Sequence, residues 1–184
     1  MKTENSNRQP TEMFEPEVGQ INFFKKYKAD CNVFFETGSH MGDTIERSLL
    51  LGYEKVISVE LNPTRYAHCC NRFSEDIKDG RVFLFQGNTT DRFDEMCSLL
   101  DPNDKCFFWL DAHDEGGGAP VLEELILLKK YGRKNDTILI DDIPLYYKNS
   151  MPVIKNVLKE INENYNFSID DIFDRGWESI LIAN

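Results

Sequence analysis

Phe34-Phe35-Glu36-Thr37-Gly38-Ser39-His40-Met41-Gly42-Asp43-Thr44 reads as a buried strand that breaks into a glycine loop and then opens a helix. The run Asn32 to Phe35 is largely apolar and β-prone. Gly38 and Gly42 let backbone pass close to a ligand, and Asp43-Thr44 supply an N-cap ahead of Ile45, Leu49 and Leu50. The spacing is Glu-x-Gly-x-x-x-Gly-x-Thr. A dinucleotide fingerprint needs Gly-x-Gly-x-x-Gly, and its second glycine is His40 here, which disfavours a nicotinamide cofactor. No Gly-Lys-Ser/Thr follows, so the loop does not cradle a triphosphate.

An acid ahead of the first glycine repels pyrophosphate and suits an ammonium group. The next strand, Val56-Ile57-Ser58-Val59-Glu60-Leu61, also ends in an acid, 24 residues after Glu36. That interval fits one βαβ crossover, and a carboxylate at the second strand tip can accept both hydroxyls of an adenosine ribose. The two acids together describe S-adenosylmethionine. On these residues the chain resembles the class I methyltransferases over roughly residues 20 to 184. The resemblance implies a cofactor site built from Glu36, Gly38, Ser39, His40, Gly42 and Thr44, with Glu60, Leu61 and Asp111. Asn88 and Thr89, at the tip of the third strand, would face the adenine edge. The competing readings are a plain glycine turn with a surface Glu60, and simple helix capping by Thr89 or Thr90.

Outward from the loop, strands and helices alternate. A helix over Val18 to Tyr27 precedes the first strand, Asn32 to Glu36, and Asp43 to Leu51 forms the next helix, ended by Gly52. The second strand, Lys55 to Leu61, gives way at Asn62-Pro63 to a helix carrying Tyr66, Cys69, Cys70 and Phe73. Arg81 to Gln86 is the third strand, followed by a helix with an apolar stripe of Phe93, Met96, Cys97 and Leu100. Cys106 to Asp111 is apolar until its last residue, as a central strand should be. A helix from Pro120 to Tyr131, a strand from Thr137 to Ile140, a helix from Pro152 to Asn164 and strands over Phe167 to Phe173 and Glu178 to Ala183 complete the chain. The alternation predicts an α/β, Rossmann-like, doubly wound sheet of seven mainly parallel strands, with helices on both faces and right-handed crossovers. The short Asp174-Arg175-Gly176-Trp177 turn predicts that the last strand is antiparallel.

Ligands bind such sheets beyond the carboxyl ends of the strands. There the chain places Trp109-Leu110-Asp111-Ala112-His113-Asp114 and Ile140-Asp141-Asp142-Ile143-Pro144. Asp111, Asp141 and Asp142 on neighbouring strands would repel one another without a cation. Their hard oxygens favour magnesium or calcium over zinc. In these residues the chain resembles metal-dependent sugar and natural-product O-methyltransferases, which carry an Asp after the fourth strand and an acidic pair after the fifth. The alternative is turn capping by the acidic pair. Methyl transfer to a hydroxyl requires in-line alignment and a proton acceptor, for which His113 is the first candidate and Asp111 the second. Gly116-Gly117-Gly118 reads as a mobile lid or as a plain flexible connection. His68, in mid-helix, reads as a surface residue.

With 184 residues and 41% hydrophobic content, the chain fits one domain over residues 19 to 184, preceded by a polar, flexible arm over residues 1 to 18. No run approaches the roughly 20 apolar residues that span a bilayer, so membrane insertion is not expected. Thirty-two acidic against twenty-one basic side chains give a net charge of −11, which argues against nucleic acid as a partner. The one compact basic run, Lys25-Lys26-Tyr27-Lys28, reads as a solvated helix face. Five cysteines without metal-site spacing suggest a reducing, cytoplasmic compartment. The resemblance implies O-methylation of a sugar or glycan such as a deoxyhexose, assisted by magnesium or another divalent cation. A phenolic or natural-product hydroxyl is the alternative acceptor, and a cofactor-binding module without turnover the alternative class. Pairing of two chains stays open.

Overall fold

The computed structural model describes residues 15–113, 118–171 and 179–184. The elements run α1 (Glu15–Lys28), β1 (Val33–Thr37), α2 (Asp43–Leu50), β2 (Lys55–Glu60), α3 (Pro63–Arg72), α4 (Ser74–Lys78), β3 (Val82–Gln86), α5 (Thr89–Cys97), β4 (Cys106–Leu110), α6 (Val121–Lys129), β5 (Thr137–Ile140), a π-helical turn (Ile143–Tyr147), α7 (Met151–Ile161), β6 (Phe167–Asp171) and β7 (Ser179–Ala183). The strands form one sheet in the order β3-β2-β1-β4-β5-β7-β6. All neighbouring pairs are parallel except those made by β7, which runs antiparallel to both β5 and β6. The expected class, strand number and inverted last strand are all observed. The expected arm lies largely outside the described residues, as do Asp114, Gly116, Gly117 and the Asp174–Trp177 turn.

β1 and β4 are buried along their whole length because the sheet is covered on both faces. Successive residues alternate between the faces. Val33 and Phe35 pack with Phe93, Met96, Phe108 and Leu125 under α5 and α6. Phe34 packs with Phe24, Ile45, Cys69 and Phe107 under α1, α2 and α3. The stacked pair Phe34 and Phe107, with centroids 5.6 Å apart, forms the floor on which Phe24 rests edge-on. Each such side chain contributes about 1.5–3 kcal/mol on burial, and the two strands that carry the site are held by the cores on both faces.

Lys25 and Lys26 are exposed, as a solvated face should be, but the run also joins elements together. Lys26 Nζ and Tyr27 Oη both donate to Asp170 Oδ2, at 2.6 and 2.5 Å, and tie α1 to the edge strand β6. Lys28 donates to the Cys31 carbonyl and lies over the Tyr53 ring. The helix expected to continue through Phe73 breaks there into α3 and α4. The Phe73 ring is pulled against Gly42, where any added Cβ would lie 2.5 Å from it. The third difference follows β5. Asp142 takes a left-handed conformation, φ 56°, and its carbonyl accepts from both Leu145 and Tyr146 in the π-helical turn. Pro144, lacking an N–H, fits the first positions of that turn, which buries Ile143 and Tyr147.

The chain progresses from β1 outward to β3, then returns through β4 to the other half of the sheet. The crevice between β1 and β4, at their carboxyl ends, is therefore where strand order reverses.

Candidate functional site

A cleft of about 630 Å³ opens at that crevice. Its walls come from the loop after β1 (Gly38, Ser39, His40, Met41), the end of β2 (Glu60, Leu61), the turn before α5 (Asn88, Thr89), the loop after β4 (Asp111, His113) and the start of α6 (Pro120, Glu123). Sequence reasoning placed ligand-facing residues in four of these segments and missed the fifth. It also missed Asp43, which lines the cleft from the start of α2, and Arg65 from α3.

The glycine loop is fastened at its base. The amides of Gly38 and Ser39 both donate to the Val59 carbonyl, and Gly42 N closes a turn onto Ser39 O. Gly38, at φ 89°, admits the β4 loop: a Cβ there would sit 3.1 Å from the Asp111 carbonyl oxygen. Gly42, at φ 85°, meets Phe73 and Cys69 and does not line the cleft. Its role is packing, against the expected approach to ligand. Gly42 is also the N-cap of α2, with no side-chain capping bond. Thr44, expected to cap, instead donates its hydroxyl to Glu36 Oε1.

Glu36 is fully buried beneath the loop and absent from the cleft wall. Ser58 Oγ donates to its Oε2 at 2.7 Å, and Ser39 Oγ lies 2.7 Å from Ser58 Oγ. The hydroxyls of Ser58 and Ser39 thus stand in line between Glu36 and the cleft wall, which Ser39 reaches. Burial pushes the Glu36 carboxyl up to about 7, against the pull of Ser58 and Thr44. Glu60 ends β2 and lines the cleft. Its Oε2 accepts the His40 amide at 2.7 Å and its Oε1 accepts the Asn62 amide at 2.8 Å. Each oxygen retains a lone pair directed away from those amides. His40 holds a left-handed φ of 48° to present its amide to Glu60, while its exposed imidazole lines the cleft.

Asn88, rather than Thr89 or Thr90, caps α5: its Oδ1 accepts the Thr90 amide at 3.0 Å. Asn88 and Thr89 nonetheless face the cleft.

At the far end, a carboxylate oxygen of Asp111, one of Asp142 and an imidazole nitrogen of His113 all lie within 4.8 Å of one another. The expected set was Asp111, Asp141 and Asp142. The left-handed turn at Asp142 swings that side chain inward, while Asp141 Oδ1 turns back to accept the Asp142 amide at 2.7 Å. His113 takes the third place and stacks on Tyr146, centroids 5.4 Å apart. Asp111 is held well above the usual carboxylate range, first by burial and then by the charges of Asp141, Asp142 and Glu36. Asp142 is raised by burial and eased by His113. Such a gathering of carboxylates around one imidazole has the donor chemistry of a divalent-cation site.

No family model and no curated protein matches the chain. Solved structures do. The methyltransferase PaMTH1 of Podospora anserina, bound to S-adenosylhomocysteine, is 13% identical, with a TM-score of 0.61 over 91% of this chain and 77% of its own. The O-methyltransferase of Bacillus cereus, in complex with S-adenosylhomocysteine, is 14% identical, with a TM-score of 0.59 over 95% of this chain and 83% of its own. TomG of Streptomyces achromogenes, an O-methyltransferase involved in tomaymycin synthesis, is 12% identical, with a TM-score of 0.58 over 92% of this chain and 78% of its own. Strand order, the inverted β7 and these likenesses together give the chain the Rossmann-like fold of the class I S-adenosylmethionine-dependent methyltransferases.

Proposed function

We propose that this chain is an O-methyltransferase that binds S-adenosylmethionine in the cleft and methylates a hydroxyl of a sugar or glycan, assisted by a divalent cation. The observation that carries the reading is the position of Asp111, which lines the cleft and also belongs to the cluster with His113 and Asp142. Cofactor and acceptor chemistry would then meet at one residue. Glu60 would accept the ribose hydroxyls, Leu61 would lie against the adenine, and Asn88 with Thr89 would meet its edge. Ser39, His40 and Thr44 line the wall left for the amino acid portion.

Asp111, His113 and Asp142 would hold the cation, which when bound lowers the pKa of a hydroxyl beside it. Two carboxylates and an imidazole widen the choice from magnesium to manganese. In the transfer, the acceptor oxygen bonds to the methyl carbon as the carbon–sulfur bond breaks, and the electron pair returns to sulfur. The two proton acceptors read from the sequence, His113 first and Asp111 second, both belong to the cluster, and either would stand beside the acceptor hydroxyl there.

A phenolic acceptor is the second reading, favoured by the Tyr146 ring beside His113 and by Leu145, which is 59% exposed on the same turn. Calorimetric titration of S-adenosylmethionine into metal-stripped protein, followed by transfer assays on sugars and phenols with and without magnesium or manganese, tests both. Binding with transfer to sugars supports the proposal, and transfer to phenols alone selects the second reading. Binding without any transfer identifies a non-catalytic module.

A further inference from the structure

The π-helical turn after β5 is built on Asp142, whose carbonyl accepts the Leu145 amide at 3.0 Å and the Tyr146 amide at 3.1 Å. Ile143 and Tyr147 seat the turn in the interior. Tyr146 is partly buried against the same core and lies tilted beside Tyr147, centroids 6.0 Å apart. It also meets the His113 ring, nearly parallel at 22° with centroids 5.4 Å apart. His113 stands on the loop after β4 and is exposed. An exposed imidazole on a loop has several rotamers open to it, and few of them bring a ring nitrogen within reach of two carboxylates at once. Here one nitrogen lies within 4.8 Å of carboxylate oxygens of both Asp111 and Asp142.

We propose that Tyr146 is a positioning residue: its ring face holds the His113 imidazole toward Asp111 and Asp142, so that one turn supplies a cation ligand, Asp142, and orients a second. The inference rests on the reading of that cluster as a divalent-cation site. A ligating histidine needs a fixed ring plane, which a neighbouring group supplies, and the neighbour here is an aromatic face. Offset, near-parallel rings attract one another. Tyr146 is itself fixed twice, by the bond from its amide to the Asp142 carbonyl and by packing on the core. Asp142 and Tyr146 therefore keep a constant separation, and His113, resting on Tyr146, keeps its place relative to Asp142. A side chain already ordered in the fold loses less freedom when the cation binds, which raises affinity. The Tyr146 hydroxyl plays no part in this.

The test is calorimetric titration of manganese into the metal-stripped parent, Tyr146→Phe and Tyr146→Leu, with thermal unfolding to establish that each is folded at the temperature of titration. Tyr146→Phe keeps the ring face and should bind as the parent does. Tyr146→Leu keeps apolar bulk against the core without a ring face, and should bind about tenfold more weakly, the scale on which a ligand's supporting group acts. Parent-like affinity in Tyr146→Leu, or equal losses in the two variants, would overturn the inference. The chain has three histidines, so proton NMR reads the contact without metal. In the metal-free parent the His113 ring protons, assigned by their loss in His113→Ala, should lie upfield of those of the exposed His68 and move back toward them in Tyr146→Leu. Should Tyr146→Leu not fold, the parent's spectrum decides alone, and His113 protons at the His68 position would overturn the inference. A parent that binds no manganese defeats the cation site itself and the inference with it, a result separate from a parent that binds and a Tyr146→Leu variant that copies it.

Discussion

Thr44 bonds to Glu36 across the glycine loop, so the residue expected to cap α2 instead anchors the loop to the acid beneath it. The consequence is a buried acid whose proton is linked to stability. Glu36 is raised in the fold, from 4.5 to about 7. The folded chain therefore holds that proton more tightly than the unfolded one. The stabilisation is complete below about pH 4.5 and is lost as pH rises through about 7. Glu36→Gln should flatten this decline by up to about 3 kcal/mol, read as the difference in denaturant midpoints between pH 5 and pH 8. An unchanged slope would show that the Glu36 carboxyl is ionised in the native state throughout.

Glu60→Ala removes the acceptor for the His40 and Asn62 amides together with the proposed ribose contact. Affinity for S-adenosylmethionine should fall at least about tenfold, and Glu60→Gln should fall less because it keeps one acceptor oxygen. Calorimetry reads both. Parent-like affinity in Glu60→Ala removes the residue from the cofactor site.

Asp142→Asn and Asp141→Asn separate the observed cluster from the set expected from the sequence. Manganese titrated into the metal-stripped parent should bind, and Asp142→Asn or His113→Ala should weaken it about tenfold or more. Asp141→Asn should change it far less, because that carboxylate is turned toward the Asp142 amide. Equal losses in both Asp variants would restore the original set.

Gly42→Ala should destabilise the fold by about 2 kcal/mol or more, since the methyl meets the Phe73 ring and φ is 85°. Gly80→Ala, with φ 70° and open space around it, isolates the backbone part of the cost. Thermal melts should show Gly42→Ala as the more damaging, and Phe73→Leu should recover part of its loss. Matching melts for the two glycine variants would mean that Phe73 gives way without cost.

Much of the architecture is legible because it depends on patterns that local chemistry enforces. Asn62-Pro63 marks a helix start by local chemistry, the Asn side chain accepting the Thr64 and Arg65 amides, and the apolar run before Asp111 needs two covered faces. What is not legible is where side chains point once a strand has ended. Nothing in the letters of Asp141-Asp142 announces that the second residue turns left-handed and inward. Glu36 and Glu124 fail to read for another reason. Their charge points toward ligand or solvent, and only the fully assembled sheet and helices show that each occupies the interior. The spacing of Glu124 with Val121, Leu125 and Leu128 was the available signal, because it puts the acid in the middle of a buried stripe.

The placement of β7 has a consequence in time. The strand made last, Ser179–Ala183, fills the gap between β5 and β6, two strands made earlier. Until residue 183 is available, β5 has an open edge and β6 has nothing to pair with, so a chain emerging from the ribosome can assemble the β3-to-β5 half but cannot close its sheet. Closure waits on the most sequence-distant pairing available to β5, and the unpaired edge is exposed to other chains in the interval. The half that carries the glycine loop and Asp111 can thus take shape before the sheet behind the Asp142 turn is complete.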